Sequence, residues 1–278
     1  MDTPVFKDEF VRDCQCYSYD ARVTDARGRI ELQVKDRSKY FLPAEVFTEI
    51  EGRLLKADNT DFGIGNRVGF VNNCVIALFN RATYTVDGKN IESCLENVYV
   101  ATTIIGLARY SDDYSRSAGP LMMFAKDTTD HPEKRNMRLN AAGDTVVSMN
   151  ENFNFGFAAR RLMLSDNEVF SCVIPLSHNF GFCRNERKVI FGAKQTVVHV
   201  RKATDDDAIW HAEGVDPAVT AALHGKVVLT KRSLWMPLMT PTIPEEQRLI
   251  YFLNQGGKST LSWLTMSTDI VQSNIKGL

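Results

Sequence analysis

The sequence predicts a mainly β protein built as a two-sheet sandwich, and three observations carry that prediction. Asp87-Gly88 lies inside an apolar and then alternating stretch, and this dipeptide is a strong hairpin signal because a type I′ turn needs positive φ at both central positions. Several other short segments alternate apolar with polar residues, as half-buried strands do. With 278 residues, of which 44% are hydrophobic and 24% charged, the chain can form a packed core, and wholesale disorder is excluded.

Period-two alternation identifies the predicted strands and the buried face of each. On the strand near residues 195–201, Val198 is assigned to the core, whereas His199 is assigned to the surface together with Val197. The predicted strands cover residues 29–35, 48–54, the two arms of the hairpin within 68–92, 170–176, 196–200 and 227–236. The predicted sandwich core comprises Ile30, Leu32, Ile50, Leu54, Ile76, Leu78, Phe79, Tyr84, Ile174, Val198 and Trp235.

Capping-box patterns predict two helices. Ser93 and Glu96 precede apolar residues at helical spacing and predict an inserted helix over about 94–108. A second box at Thr242 and Glu245 predicts a short helix that ends near residue 254, before Gly256-Gly257. The other segments are predicted as a tail or arm at 1–28, loops with one or two short strands at 110–148, a loop with a helical turn at 203–225, and one more strand at 259–266.

Four sequence stretches resemble one protein family in the expected order. They are VGFVNNCVIALFNRATYTVDGKNIE at 68–92, VIPLSHNFGFC at 173–183, VIFGAKQTVVHVR at 189–201 and KVVLTKRSLWMPLMTP at 226–241. Together they resemble the double jelly-roll major capsid proteins, and most closely the branch found in Maverick/Polinton elements and adintoviruses, often met as endogenous viral elements. The resemblance runs from about residue 29 to 244. It implies a jelly-roll β-sandwich and a virion structural role.

The resemblance also implies a domain organisation. Family members carry two jelly rolls side by side, and the Trp235-Met236-Pro237 strand corresponds to the last strand of the first roll. Residues 1–28 are then an N-terminal arm, 29–240 a complete first jelly roll, and 241–278 the start of an incomplete, C-terminally truncated second roll. A face that normally packs on the second roll would be left apolar and exposed, which marks an interaction site.

Composition and charge exclude several other classes. Lys and Arg number 33 and Asp and Glu 34, so a net charge of −1 provides no global field for nucleic acid. No secretory signal is visible in residues 1–20, so the six cysteines are predicted to be reduced in an intracellular setting, namely a virion or the host nucleus or cytoplasm. No stretch approaches the ~20 apolar residues that a membrane helix needs.

Searches for catalytic and metal-binding patterns lead to no site. A phosphate-binding loop ending at Gly256-Gly257-Lys258-Ser259 would need glycine at Phe252. The five histidines form no His-x-His pair, and His178 is assigned a turn-fixing hydrogen bond rather than catalysis. Solvated loops are predicted for the acidic and basic clusters, which are Asp205, Asp206 and Asp207; Arg160 and Arg161; and Arg184, Arg187 and Lys188. The alternatives are weak cation binding by the aspartates and contact of the basic clusters with phosphates or an acidic partner. The sequence therefore predicts no catalytic residue, no cofactor and no metal.

The predicted function is a self-associating, non-enzymatic capsid protein of the major-capsid type. The resemblance implies a trimer when the second roll is completed, with other capsid proteins as further partners and no direct nucleic-acid contact. The alternative is a domesticated single jelly roll that binds a glycan or protein partner, and exposed aromatics such as Tyr110 and Tyr114 would favour it. A metal-dependent dioxygenase is a third class, which stoichiometric iron or zinc in the purified protein would revive.

Overall fold

The structure is a computed structural model of the full chain. It describes residues 11–21, 28–35, 39–62, 68–94, 97–127, 137–139, 145–147, 155–164, 167–211, 225–256 and 264–265.

The described residues form strands and short helices. The strands are β1 (Val11–Asp20), β2 (Arg29–Val34), β3 (Tyr40–Phe41), β4 (Phe47–Lys56), β5 (Val68–Phe70), β6 (Phe79–Val86), β7 (Lys89–Cys94), β8 (Met137–Leu139), β9 (Thr145–Val147), β10 (Val169–Pro175), β11 (Ile190–Phe191), β12 (Gln195–Arg201), β13 (Ile209–His211) and β14 (Gly225–Pro241). The helices are α1 (Cys74–Ala77), α2 (Val98–Arg109), α3 (Asp112–Arg116), α4 (Phe155–Leu162), α5 (Leu176–Asn179), α6 (Gly181–Asn185) and α7 (Ile243–Asn254).

Two antiparallel sheets form the body of the molecule. The larger sheet has the order β10-β4-β14-β3-β11, with β1 added along β14, and the smaller has the order β2-β12-β6-β7. The side chains of β14 and β12 meet between the two sheets, where Gln195 Nε2 lies 3.4 Å from Met236 Sδ. The predicted mainly β sandwich is confirmed, because both sheets bury their inward-facing side chains in one shared core.

Period-two burial is clearest in β2 and β4. In β4, Thr48, Ile50, Gly52 and Leu54 are buried whereas the residues between them are half-exposed. Gly52 has a packing reason, since a Cβ there would lie 2.8 Å from the ring of Phe170 on the neighbouring strand. Glycine thus leaves room for that ring against the backbone of β4.

Every residue of the predicted core is buried except Trp235, although Val198 is buried on the outer face of its strand rather than inside the sandwich. Trp235 is half-buried and lies on the outer face of β14, where its ring stacks on Phe47 and its Nε1 donates to Glu49 Oε2 at 2.7 Å. Its neighbours Leu234 and Met236 are the core residues instead, at 0% exposure. The strand was predicted, but the assignment of its faces was shifted by one residue, and such a shift reverses inside and outside.

The same one-residue error affects β12. Gln195, Val197, His199 and Arg201 point into the sandwich, so the prediction of a surface His199 was wrong. Val198 on the other face is nonetheless buried. The strand is covered on most of both faces, so its sequence lacks the polar alternation that would have identified the inner one.

The Asp87-Gly88 hairpin is confirmed between β6 and β7. Asp87 has φ 49° and Gly88 φ 78°, the positive values that a type I′ turn requires. The turn is also joined to a distant strand, because Asp87 N donates to Lys194 O at 2.8 Å and Lys194 N donates to Asp87 Oδ1 at 3.0 Å. The hairpin therefore helps to fix the register of β12 against β6.

The sequence suggests a single strand for the apolar run before this hairpin, but the structure divides the run into a strand and a helical turn. Residues 68–70 form β5, and Cys74–Ala77 form the buried helical turn α1. The change follows Asn73, which has φ 58°, a left-handed conformation that asparagine tolerates better than most residues. Continuous burial hides the period that separates a helix from a strand.

Helix α2 is confirmed, but its predicted capping box is wrong. Ser93 belongs to β7, where its hydroxyl lies 3.3 Å from Thr83 Oγ1 across the strand pair. Asn97 instead precedes the helix in a left-handed conformation. Strand pairing with β6 therefore overrides the local capping signal.

The C-terminal helix prediction is confirmed by α7, which is followed by Gly256 at φ 75°. The 110–148 segment holds α3, the β8–β9 hairpin and a short 3-10 turn, Gly119–Met122. The alanine-rich patch within 212–224 and nearly all of the predicted strand at 259–266 lie outside the described residues.

Candidate self-association surfaces and the buried polar clusters

His178 lies at the centre of a buried polar cluster under α2. Its ring is 1% exposed, with Nδ1 2.8 Å from Tyr110 Oη and Nε2 3.3 Å from Asn73 Oδ1. Asn73 Nδ2 in turn donates to Thr103 Oγ1 at 3.1 Å. A neutral His178 ring can accept a hydrogen bond from Tyr110 Oη at Nδ1 and donate one from Nε2–H to Asn73 Oδ1. Both ring nitrogens then have a partner.

Burial sets the protonation state of this cluster. Desolvation, with Arg184 nearby as the smaller cause, lowers the pKa of His178 to about 3, and burial raises the pKa of Tyr110 to about 12. Both groups are therefore neutral near pH 7, and the two side chains that hydrogen-bond the His178 ring are themselves uncharged. The cluster fixes α1, α2 and α5 to one another, as the assignment of a turn-fixing hydrogen bond to His178 had predicted.

Glu92 forms a second buried polar contact, which sequence reasoning missed. Its carboxylate is 3% exposed and accepts hydrogen bonds from the backbone N–H groups of Gly181 and Phe182 at 3.0 and 2.9 Å. These N–H groups open α6 and have no partner within that helix. Glu92 therefore holds the 176–185 segment against β7.

The basic pair Arg160-Arg161 is not a solvated loop, contrary to the prediction. Arg160 is completely buried in α4, where it donates to Phe70 O, Ala125 O and Asp127 Oδ1. Arg161 forms a bidentate salt bridge with Glu168, with N–O distances of 3.0 and 2.8 Å. Both guanidinium groups are thus committed to internal contacts and do not form a phosphate site.

The acidic triplet was also predicted as a solvated loop, and Asp205 contradicts that prediction. Asp205 is 4% exposed, pairs with Arg201 and accepts from Val227 N at 2.8 Å. Asp207 pairs with Lys202 at the surface. Their carboxylates diverge rather than converge, and among the described residues no group of three or more His, Cys, Asp or Glu side chains could hold a metal ion.

The two tyrosines that would have favoured a glycan site are engaged within the fold. Tyr110 and Tyr114 are each half-buried, and their rings stack at 4.3 Å. Tyr110 also contacts His178, and Tyr114 Oη lies 3.6 Å from Met122 Sδ. Their rings therefore do not form an open platform for a sugar.

Apolar side chains are exposed instead on two helices. On α2 the face opposite the core consists of Val100, Ile104 and Leu107, exposed by 43%, 59% and 49%. We call these three residues the α2 surface. They recur at helical spacing, so they form one continuous stripe rather than scattered positions.

Helix α7 also exposes apolar side chains, which point in several directions around the helix. Ile243, Ile250, Tyr251 and Phe252 are 48–67% exposed, and we call them the α7 surface. Only Glu245 and Leu249 of the described α7 side chains are half-buried. Contiguous apolar exposure is typical of surfaces that contact another molecule.

Strand β1 adds to these two surfaces a sheet edge that none of the described strands pairs with. It pairs along its whole length with β14, from Val11 opposite Pro241 to Asp20 opposite Ser233. Most of its side chains are exposed, including Cys14 and Cys16, whose thiols are free. The sequence predicts a tail or an arm over residues 1–28, because this segment is polar and charged without clean periodicity, and β1 lies within it.

None of the described helices is long and apolar enough to cross a membrane. No protein-family model matches the chain, and no curated protein sequence matches it.

Solved structures do match the fold. A chain in the 3.5 Å cryo-EM structure of the Sputnik virophage superimposes with a TM-score of 0.54 at 10% identity, over 87% of this chain and 51% of that chain. The Faustovirus major capsid protein matches with a TM-score of 0.52 at 10% identity, over 92% of this chain and 58% of the capsid chain. The fold is that of a viral major capsid protein.

The resemblance to double jelly-roll major capsid proteins is thereby confirmed at the level of the fold. The mainly β, jelly-roll architecture is confirmed with it. The chain spans about half the length of the capsid chains that it matches.

Proposed function

We propose that this chain is a virion structural protein that associates with copies of itself and performs no catalysis. The observation that carries the proposal is the jelly-roll capsid fold, which matches the Faustovirus major capsid protein over 92% of this chain. The polar clusters around His178, Arg160 and Asp205 support it, because the side chains at the centre of each are buried and hydrogen-bonded within the fold.

The surfaces of the molecule support self-association. The α2 and α7 surfaces expose apolar side chains that a monomer would normally cover. Capsid contacts are repeated between identical copies, so any surface used in assembly must recur on each copy. Under this proposal the α2 and α7 surfaces are the sites at which neighbouring rolls pack.

The finer parts of the proposal rest on the four sequence motifs. Within it, the chain comes from a Maverick/Polinton or adintovirus-like element, residues 29–240 are a first jelly roll, and 241–278 begin a second. Three copies completed by second rolls would make a pseudo-hexagonal trimer, with other capsid proteins as neighbours. The chain would act in a virion or in the host nucleus or cytoplasm.

Light scattering coupled to size exclusion tests the proposal across a concentration series. We expect the wild type to show a mass above that of the monomer, rising with concentration, and particles or regular oligomers by electron microscopy. Tyr251→Lys should lower that mass, because it places a charge in the α7 surface.

Gln247→Lys is the matched control, since Gln247 is an exposed polar residue one helical turn earlier on α7. It adds the same charge without removing an apolar side chain. A wild type that stays monomeric at every concentration would overturn the proposal. Equal effects of the two lysine variants would remove α7 from it.

A further inference from the structure

The outer edge of β1 is the feature from which the inference starts. One edge of β1 pairs with β14 from residue 11 to residue 20. Within the described part of the chain, no strand pairs with its other edge. That edge presents a row of backbone N–H and C=O groups, which is a template for another strand.

Few of the usual protections against edge pairing occur on β1. Its stretch Cys14–Tyr19 contains no charged residue, no proline and no glycine, and these are the devices by which edge strands normally avoid partners. The single irregularity in its pairing with β14 lies between Val11 and Asp13, at one end of the strand. The remaining residues are regularly paired and mostly exposed.

The charges of β1 are complementary to those of a second β1 in antiparallel orientation. Arg12 lies near one end and Asp20 at the other. A two-fold axis at Cys16 places Arg12 opposite Asp20 of the second copy, and the symmetry repeats the pair. The long arginine side chain can span the offset that the bulge introduces at Arg12.

The same register places Cys16 opposite Cys16 of the second copy. Directly opposed residues in antiparallel strands have Cα atoms about 4.5–5.5 Å apart, within the range of about 4.4–6.8 Å that a disulfide needs. Cys14 would face Ser18 of the second copy. A two-fold axis at Gln15 would instead pair Cys14 with Cys16 and place Arg12 opposite the uncharged Ser18.

We propose that two copies of this chain join through the outer edges of β1, antiparallel and with the two-fold axis at Cys16. The contact deepens the proposed function, on which it rests, by naming a surface and register for self-association. It extends the larger sheet of each copy across the interface, and the main-chain hydrogen bonds supply the contact.

Disulfide trapping reports which residues of the two β1 strands lie opposite each other. Full-length protein is incubated with oxidised glutathione at about pH 9, because partial burial and the neighbouring Cys14 raise the pKa of Cys16 above that of a free thiol. One Cys16 thiolate attacks glutathione disulfide and releases glutathione. Cys16 of the second copy then attacks the mixed disulfide and releases a second glutathione. Dimers are counted on non-reducing gels.

Variants in which Cys14 or Cys16 is replaced by serine distinguish the two registers. We expect wild type and Cys14→Ser to form disulfide-linked dimers, and Cys16→Ser and the double variant Cys14→Ser/Cys16→Ser to form none. Dimers in Cys16→Ser but not in Cys14→Ser, or loss of dimers in both single variants, would overturn the register at Cys16. Absence of dimers in the wild type would overturn the edge contact.

A charge swap tests the same contact without oxidation. Arg12→Glu places like charges opposite each other at both ends and should weaken dimerisation about tenfold under reducing conditions. Arg12→Glu/Asp20→Arg should restore it. Failure of the swap to restore dimers would contradict the pairing, and Asp20→Asn checks the fold because the amide oxygen of an asparagine can still accept the hydrogen bond from Ser233.

The inference and the proposed function fail in different ways. Oligomers that persist by light scattering while Cys16 gives no crosslink would overturn the β1 contact and leave capsid-type assembly intact. Loss of all oligomers in the reduced wild type would overturn the proposed function itself.

Discussion

Strands β12 and β1 occupy opposite situations in the same sandwich. β12 lies between β2 and β6, and most of its side chains are buried on both faces. β1 lies along β14, with most of its side chains exposed. A tyrosine–glutamine hydrogen bond occurs at each strand, buried between Tyr84 and Gln195 and exposed between Tyr17 and Gln15.

The comparison shows that a strand paired along both edges and a strand paired along one edge can be held by different forces. Burial of β12 specifies its register, because a one-residue slip would carry core side chains to the other face. For β1 the register depends on main-chain hydrogen bonds and on its few charges. The buried strand should therefore govern stability, and the exposed strand should govern association.

The largest expected difference comes from removing apolar volume beside β12. Leu32 is 2% exposed and lies opposite Val197, so Leu32→Ala should lower the free energy of unfolding by about 2–5 kcal/mol. Tyr17→Ala, in the exposed strand, should change it by less than about 0.5 kcal/mol. Urea denaturation measures both, and equal effects would contradict the assignment of the core to β12.

The two tyrosine hydroxyls provide a sharper test. Tyr84→Phe leaves Gln195 Oε1 without its donor inside the sandwich, and should cost about 1–3 kcal/mol. Tyr17→Phe removes the same type of bond in a solvated strand, where water replaces the hydroxyl, and should have no measurable effect. A measurable loss in Tyr17→Phe would show that β1 contributes to stability as well as to association.

A loss of stability is also expected as the pH falls. Desolvation lowers the pKa of His199 on β12 to about 4, while burial lowers that of His178 to about 3. The unfolded chain takes up these protons below pH ~6.5, before the folded protein does, so stability is fully present above that pH and falls as pH decreases. Each histidine should contribute about 1.4 kcal/mol of loss per pH unit between pH 6.5 and about 4.

Unfolding measured from pH 7.5 to 5.5 checks this prediction, with pH values chosen to bracket the ordinary histidine pKa of about 6.5. His199→Gln should remove its own share of the slope whatever its effect on absolute stability. Tyr17→Ala should retain the wild-type slope. A wild-type slope of the opposite sign would mean that neither ring is held neutral.

The period-two alternation of apolar residues and the residue types at the turns predicted most of the fold from the sequence. β2 and β4 alternate clearly because one face of each is wet, and the Asp87-Gly88 turn requires a backbone conformation that few other residues adopt. The errors fall where both faces are dry. In β12 and α1, continuous burial removes the signal that distinguishes inside from outside or strand from helix.

The polar contacts could not be predicted because their partners are distant in sequence. Glu92 meets Gly181 and Asn73 meets His178 only after the sheets have formed. Arg160 looks like a surface residue because charged side chains are rarely buried, and its full burial depends on Asp127 and two backbone carbonyls from other segments. The exposed β1 carried no apolar period at all.

The contact between the Asp87 turn and Lys194 has a consequence for biosynthesis. The two residues are 107 positions apart, so the ribosome completes the hairpin long before the strand that it aligns has been translated. During that interval β6 has an unpaired edge, and such nascent edges aggregate readily when a partner is slow to arrive. We therefore expect the yield of folded chain to fall when nascent copies are crowded before residue 201 has emerged.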